Sequence, residues 1–251
     1  MSVNFLWTGG WDSTFRLLQL LLDYGEPVTP YYLIDTVRRS TAMELQTMRR
    51  IKERLWADYP QTRALIRPAQ FAAVEDIAPV PELSAAYQQI LTRMPLGTQY
   101  EWLARFCQQR GIEDMELSIE RETRPWIAAE PYIQPYTGPG GAVSYCLNSD
   151  YADTPEYVLF ARFRYPLFEM TKVKMGEHAQ AHGWRYLLEL TWFCHRPTWN
   201  GTPCGLCEPC RLATEEGMAH RVPPARRAMG QFYRRYLLPF KPRVRQMLGR
   251  R

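Results

Sequence analysis

Long apolar segments are missing from this sequence of 251 residues. No apolar run reaches the ~20 residues that a membrane-spanning helix requires, and we expect no membrane partner. Strand-forming residues begin at Val3, which leaves no room for a secretory signal peptide. Internal repeats and low-complexity segments are also missing. These absences predict a globular, cytoplasmic chain, long enough for one large domain or two small ones.

Cysteine is scarce outside one short segment. Four of the six cysteines lie within residues 194–210, and we interpret the other two, Cys107 and Cys146, as ordinary helix and loop residues. Cysteines spread along a secreted chain would suggest disulfides, whereas clustered cysteines in a reducing compartment point to a metal.

Acidic residues are missing from residues 221–251, which contain ten arginines and lysines, while the other 220 residues carry 21 basic and 26 acidic side chains. We expect a basic, helical tail. Its arginines and interleaved aromatic residues suit nucleic acid phosphates or an acidic partner. The favoured interpretation is simpler: the aromatic residues pack on the body, and the arginines face water. The aromatic residues are Phe232, Tyr233, Tyr236 and Phe240.

Two common nucleotide-binding motifs are missing from the first turn. Residues 3–24 read VNFLWTGGWDSTFRLLQLLLDY, which predicts a strand, a glycine-rich turn and a buried helix. The turn lacks the lysine of a P-loop and the third glycine of the dinucleotide fingerprint.

The same turn is nevertheless suited to phosphate. Gly9 and Gly10 permit backbone angles that gather N–H groups at the positive end of a helix. Asp12 would repel phosphate by itself but could hold a Mg²⁺ ion that bridges phosphates. Ser13 and Thr14 add hydroxyl donors.

Strands and helices alternate along the chain, which predicts a doubly wound α/β fold with about five mostly parallel strands. We place one α/β domain at residues 1–220, with a cysteine lobe at 192–212, and the tail at 221–251. Residues 123–156 read as a long irregular loop, either functional or a surface insertion. The predicted strands are 3–7, 28–34, 65–68, 115–119 and 187–191; the predicted helices are 13–24, 42–57, 82–92, 100–110 and one from Thr171-Lys172 to Gly183.

The four clustered cysteines have metal-ligand spacing. Cys194, Cys204, Cys207 and Cys210 give C-x9-C-x2-C-x2-C. Four thiolates complete a tetrahedral zinc shell of the structural type, so zinc is favoured over an iron–sulfur cluster or a redox pair. His178 and His182 lie four residues apart on a helix, but no carboxylate is evident beside them, and a solvated helix surface is favoured there.

Residues 8–13, TGGWDS, resemble the SGGxDS pyrophosphate loop of the PP-loop ATP pyrophosphatases. Together with the cysteine spacing, this loop resembles the 7-cyano-7-deazaguanine synthase (QueC) family. Pro166 and Lys172 resemble that family's Pro-x5-Lys segment before a helix. The resemblance covers residues 3–60 and about 160–215 well and the middle poorly.

The resemblance implies an adenine nucleotide α-hydrolase-like fold and a ligase that uses ATP, Mg²⁺ and Zn²⁺. ATP would activate the carboxylate of a 7-deazaguanine, and ammonia would convert it to an amide and then a nitrile, as in queuosine biosynthesis. Residues 123–156 could act as a lid. The implied ATP-binding residues are Thr8, Gly9, Gly10, Trp11, Asp12, Ser13 and Thr14; the implied catalytic residues are Asp12, Ser13 and Lys172.

The middle of the chain departs from the family. The family's Arg-Asn pair corresponds to residues near Thr98-Gln99-Tyr100, and its Gly-rich, Cys-containing segment to residues 118–126. The substrate therefore stays open. The alternatives are a QueC-like antiviral paralogue that joins a deazaguanine to a macromolecule, a PP-loop tRNA-modifying enzyme, and a non-catalytic nucleotide-binding subunit. Sheets of this kind often form homodimers.

Overall fold

The computed structural model describes residues 2–121 and 129–238. The chain divides into two compact units. The sheet unit comprises Met1–Thr36 and Glu44–Thr191, and the cysteine unit comprises Val37–Met43 and Trp192–Arg251. The predicted division into 1–220 and 221–251 stays a prediction.

The sheet unit is built on a parallel sheet of five strands in the order β3-β2-β1-β4-β7. This is the predicted α/β architecture. Two further strands, β5 and β6, form an antiparallel hairpin. The strands are β1 (Val3–Leu6), β2 (Val28–Ile34), β3 (Gln70–Ala73), β4 (Met115–Glu116), β5 (Ile133–Thr137), β6 (Val143–Leu147) and β7 (Phe163–Arg164).

Helices cover the sheet in two groups. One contains α1, α6 and α7, and the other contains α3, α4 and α5. The last turns of α1 and α9 widen to π-helix over Gln19–Asp23 and Tyr233–Leu237. The helices are α1 (Trp11–Leu18), α2 (Thr41–Asp58), α3 (Pro81–Leu91), α4 (Gln99–Arg110), α5 (Pro155–Phe160), α6 (Lys172–Ala181), α7 (Arg185–Leu188), α8 (Glu208–Glu215) and α9 (Pro224–Phe232).

The central strand β1 positions the first turn of the chain. Phe5 of β1 is fully buried and pairs with Glu116 of β4, while Val3 pairs with Val28 of β2. A parallel sheet covered on both faces needs apolar strands throughout, which explains the short apolar runs in the sequence. The carboxyl end of β1 therefore emerges from the middle of the sheet.

Two predicted strands are wrong. Residues 187–191 belong to α7 and the turn after it, and the fifth strand of the sheet is Phe163–Arg164. Periodicity does not separate a short apolar run in a strand from one in a buried helix. Residues 65–68 contribute one isolated bridge, from Ile66 to Val28, and the strand itself follows at Gln70–Ala73.

The predicted irregular loop is also wrong in part. Its residues 123–128 lie outside the described part of the chain, but β5 and β6 form a regular hairpin with Ile133 opposite Leu147. The sequence does not predict β5 because the strand contains Pro135, and proline normally marks the edge or the end of a strand. Gly140 and Gly141, at φ +64° and +74°, close the hairpin.

The cysteine unit contains α8 and α9. The predicted tail is helical from Pro224 to Leu237, and residues 239–251 lie outside the described part. Phe232 and Tyr236 are 57% and 50% exposed and contact each other, with ring centroids 5.0 Å apart. The expectation that these two aromatic residues pack on the body is therefore wrong. Among the described residues, no helix combines the length and apolarity needed to cross a membrane.

Candidate functional site

The turn between β1 and α1 requires glycine at residue 9. Gly9 has φ +70°, and a Cβ there would lie 3.2 Å from the Glu44 carbonyl oxygen and 3.2 Å from the Met48 side chain. Gly10 is extended and is the N-cap of α1. Because Gly10 has no side chain, it offers no cap of its own to the N–H groups of the first turn.

Ser13 holds the turn together. Its Oγ accepts a hydrogen bond from the Thr8 N–H at 3.3 Å and lies 3.3 Å from Thr8 Oγ1. It is also 3.4 Å from the Gly10 carbonyl oxygen. The two hydroxyl groups therefore lie together at the N-terminus of α1, where the helix dipole favours an anion.

A cavity of about 170 Å³ opens beside this turn. Thr8, Gly10, Asp12 and Ser13 form one wall of the cavity. The other walls come from α4 and from the segment after β4, and burial raises the pKa of Tyr100 among them. Their residues are Gln99, Tyr100, Leu103, Leu117, Ser118 and Ile119, with Leu6 from β1. An apolar pocket with a few converging polar groups is typical of a small-molecule site.

Three residues predicted to bind nucleotide do not line this cavity: Gly9, Trp11 and Thr14. Thr14 is fully buried, and its hydroxyl accepts a hydrogen bond from the Trp7 indole N–H at 3.2 Å. Trp11 is buried with the Arg185 guanidinium 5.8 Å from its ring centre. Their side chains serve the packing of α1, and nucleotide contacts by their backbones stay a prediction.

Lys172 does not line the cavity either. It is the first residue of α6, and Thr171 caps this helix as predicted, accepting from the Lys174 N–H. The Lys172 Nζ lies 3.4 Å from Glu120 Oε1, and Glu120 is almost fully buried. The sequence signal for Glu120 is its position as an acidic residue just beyond a predicted parallel strand.

A buried ion pair fixes α1 on the sheet. Arg16 donates from Nε and Nη2 to the two carboxylate oxygens of Glu116, each at 2.7 Å. Arg16 Nη1 also donates to Gln19 Oε1 at 2.6 Å. A two-point contact of this geometry sets the position and rotation of α1 relative to β4.

The four cysteines converge as predicted. Their sulfurs all lie within 4.8 Å of one another, and three pairs are 3.4, 3.8 and 3.9 Å apart. Zn–S bonds of about 2.3 Å in a tetrahedron place sulfurs about 3.8 Å apart. Sulfurs around an iron–sulfur cluster are farther apart, because the cluster stands between them. The set fits a single tetrahedral ion.

Backbone donors surround these sulfurs. The Cys204 N–H donates to the Cys194 sulfur at 3.2 Å, and the N–H groups of Leu206 and Cys207 donate to the Cys204 sulfur at 3.3 Å. Side-chain hydrogen bonds with Cys194 and Cys210 lower the pKa of the Cys207 thiol. Such donors stabilise the thiolate form that binds metal.

One comparison with known protein families finds a match in the C-terminal half of the chain. Residues 158–220 match the model of the family described as queuosine biosynthesis protein QueC. This segment of the chain is similar to QueC. The match covers a quarter of the 251 residues and includes Lys172 and the four cysteines, but not the turn after β1.

Comparisons with solved structures and with curated proteins give no further information about function. The solved structure of the U34-tRNA thiolase NcsA from Methanococcus maripaludis, with its 4Fe-4S cluster, is similar at a TM-score of 0.41 and 10% identity. That similarity covers 94% of this chain and 72% of the thiolase. At this level, neither a ligand nor an activity transfers between two proteins. No curated protein matches the sequence.

Proposed function

We propose that the QueC-like chain is an ATP-dependent enzyme that adenylates a carboxylate, releases pyrophosphate and AMP, and forms a C–N bond with ammonia. The observation that carries the proposal is the turn at Gly9 and Gly10. It lies at the carboxyl end of the central strand, opens on a cavity, and begins α1 at Gly10, which has no side chain to cap the helix. This is where α/β proteins bind nucleotides.

The residues of the turn have the chemistry to hold a pyrophosphate leaving group. The N–H groups after Gly10 and the hydroxyls of Thr8 and Ser13 would donate to its oxygens. The Asp12 carboxylate, in the cavity wall, is the hard oxygen ligand that Mg²⁺ prefers. Mg²⁺ bound there would bridge the phosphates and neutralise their charge.

Lys172 would supply a second positive charge. In the structure its amine pairs with Glu120, which holds it near the carboxyl end of β4. We propose that it turns to a phosphate oxygen when nucleotide binds. The β5–β6 hairpin does not support the proposed lid: its tip at Gly140 lies against the Tyr24 ring, at the opposite end of α1 from the turn at Gly10.

The substrate would contact the walls of the cavity opposite the glycine turn. Gln99, Tyr100 and Ser118 line the cavity from the segment that departs from the family. Ser118 Oγ is buried and has no hydrogen-bond partner among the described residues, so a ligand could satisfy it. A carboxy-7-deazaguanine is the proposed substrate, since the QueC match supports it. In the cysteine unit, we propose a structural Zn²⁺ ion.

The test is incubation of the full chain with ATP, Mg²⁺, ammonia and carboxy-7-deazaguanine. We expect AMP and pyrophosphate to appear together and Asp12→Asn to reduce the rate at least ~100-fold, since it removes the metal ligand. The matched control is Asp153→Asn, an exposed aspartate on a turn, which should keep the rate. Equal rates in the two variants, or no AMP with any carboxylate tested, would contradict the proposal.

One observation favours a macromolecular acceptor in place of ammonia. Phe232 and Tyr236 are half exposed on α9, beside Arg234 and Arg235. Stacking aromatic residues among arginines suits RNA or DNA. An electrophoretic mobility shift of tRNA or DNA that weakens with salt and is lost in Phe232→Ala/Tyr236→Ala would favour a nucleic acid acceptor. Absence of a shift at low salt would favour ammonia as the acceptor.

A further inference from the structure

Asp23, His178 and His182 come together at the C-terminal end of α1. Each offers a ligand atom within 4.8 Å of the other two. Asp23 ends the π-turn of α1, while His178 lies on α6 and His182, four residues later, is the C-cap of that helix. The expectation that no carboxylate lies beside this histidine pair is therefore wrong. The carboxylate comes from 155 residues away in the chain, which spacing does not reveal.

The ligand atoms of the three side chains already lie close together. His178 Nε2 lies 2.6 Å from Asp23 Oδ2. The two imidazole rings are stacked, 4.0 Å apart and inclined by 20°. His182 Nδ1 contacts the His178 carbonyl oxygen at 2.8 Å, which selects its Nε2 as the metal-binding atom. Phe15 and Trp184 pack against His178 and hold its ring.

We propose that Asp23, His178 and His182 bind a divalent transition-metal ion, with Zn²⁺ as the expected ion. Two imidazoles and a carboxylate are a common zinc ligand set, and the fourth position would hold water. Ligand atoms 2.0–2.1 Å from zinc are about 3.3 Å apart in a tetrahedron, so the Asp23–His178 contact needs to open by less than 1 Å. Side-chain rotation supplies that change.

The metal would act as a clamp between α1 and α6. These helices begin with the two groups proposed to bind phosphate, the turn at Gly10 and Lys172. They already pack closely, since a Cβ on Gly176 of α6 would lie 3.6 Å from the Trp11 indole. Residue 179, which follows His178, is alanine, whereas hydrolytic zinc helices carry a glutamate there. A structural role follows.

The experiment uses the full chain with its cysteine site filled. After dialysis against Zn²⁺, we expect about one more zinc per chain in the wild type than in His182→Gln or Asp23→Asn. Zn²⁺ at 100-fold over its Kd should raise the Tm of the wild type by about 5–10 °C and leave that of His182→Gln unchanged. His220→Gln, which alters an exposed histidine of the cysteine unit, is the matched control and should behave as the wild type.

Cobalt separates the two metal sites. Co²⁺ bound by thiolates gives intense charge-transfer bands, whereas Co²⁺ bound by nitrogen and oxygen gives only weak bands. We expect Co²⁺ added to protein that holds zinc at the cysteine site alone to produce weak bands that Asp23→Asn abolishes. Equal metal content in the wild type and both variants would overturn the proposal, as would a Tm that zinc does not raise. Neither readout requires ATP, so the clamp and the proposed reaction fail independently.

Discussion

Gly9 carries the largest backbone constraint in the candidate site. Alanine there would keep a strained φ near +70° and press its Cβ against the Glu44 carbonyl oxygen. We expect Gly9→Ala to lower the free energy of unfolding by about 3 kcal/mol and to abolish nucleotide binding. Urea unfolding measures the first effect. Gly25→Ala is the control, because φ is +67° there but nothing lies within 4 Å, so about 1 kcal/mol is expected. Equal losses would show that crowding at Gly9 is unimportant.

Burial is the main influence on the ionisation of the Cys107 thiol. Burial raises the pKa of its thiol to about 12, from 9.0. At pH 8 the folded protein should therefore keep Cys107 unalkylated by iodoacetamide, while the less buried Cys146 reacts. Peptide mass analysis reads this difference. In the unfolded chain the Cys107 thiol ionises from about pH 9, whereas in the folded chain it stays protonated. The free energy of unfolding should therefore fall as the pH rises from 9 toward 12. Rapid alkylation of native Cys107 would contradict this.

At the scale of elements, the Arg16–Glu116 pair joins α1 to β4. Both side chains are 2% exposed. Arg16→Met leaves a buried carboxylate without its two donors and should cost about 3–5 kcal/mol, whereas the double variant Arg16→Met/Glu116→Leu should recover most of that loss. The control is Arg49→Met, from an exposed pair with Glu53, worth at most ~1 kcal/mol. Chemical denaturation of the wild type, Arg16→Met, Glu116→Leu and the double variant gives the coupling energy, and an additive double variant would exclude it.

Elements with signals at their ends could be predicted from the sequence. Thr171 starts α6 and Gly111, at φ +63°, ends α4, because both positions have local chemical requirements. Two elements lacked such signals: α7, which is a short apolar run, and β5, which contains Pro135. The candidate site divides in the same way. The glycine turn is formed by contiguous residues, so the sequence predicts it. Gln99, Tyr100 and Ser118 reach the cavity only through packing of distant segments.

The two units differ in what stabilises them. The sheet unit buries large apolar side chains, among them Phe5, Phe15, Phe160 and Phe163. Among the described residues of the cysteine unit, the buried side chains are mostly its ligands and small or medium residues, namely Ser40, Cys194, Cys204, Cys210, Ala213, Met218 and Val222. A core of that size does not sustain a fold without a metal or a cross-link. The cysteine unit should therefore depend on its ion for folding.

Removing that ion tests the difference between the units. A strong chelator, or Cys204→Ser, should make residues 192–238 sensitive to trypsin, because a structural zinc contributes roughly 10 kcal/mol or more to folding. The sheet unit should stay resistant, since its core contains no ligand of this site. Mass analysis of the fragments locates the cuts, and Cys146→Ser is the matched control. Metal analysis of the untreated chain identifies the ion: zinc without iron fits the sulfur distances, whereas iron with sulfide would show that the sulfurs open to hold a cluster. Resistance of residues 192–238 after the metal is removed would show that this small core folds by itself.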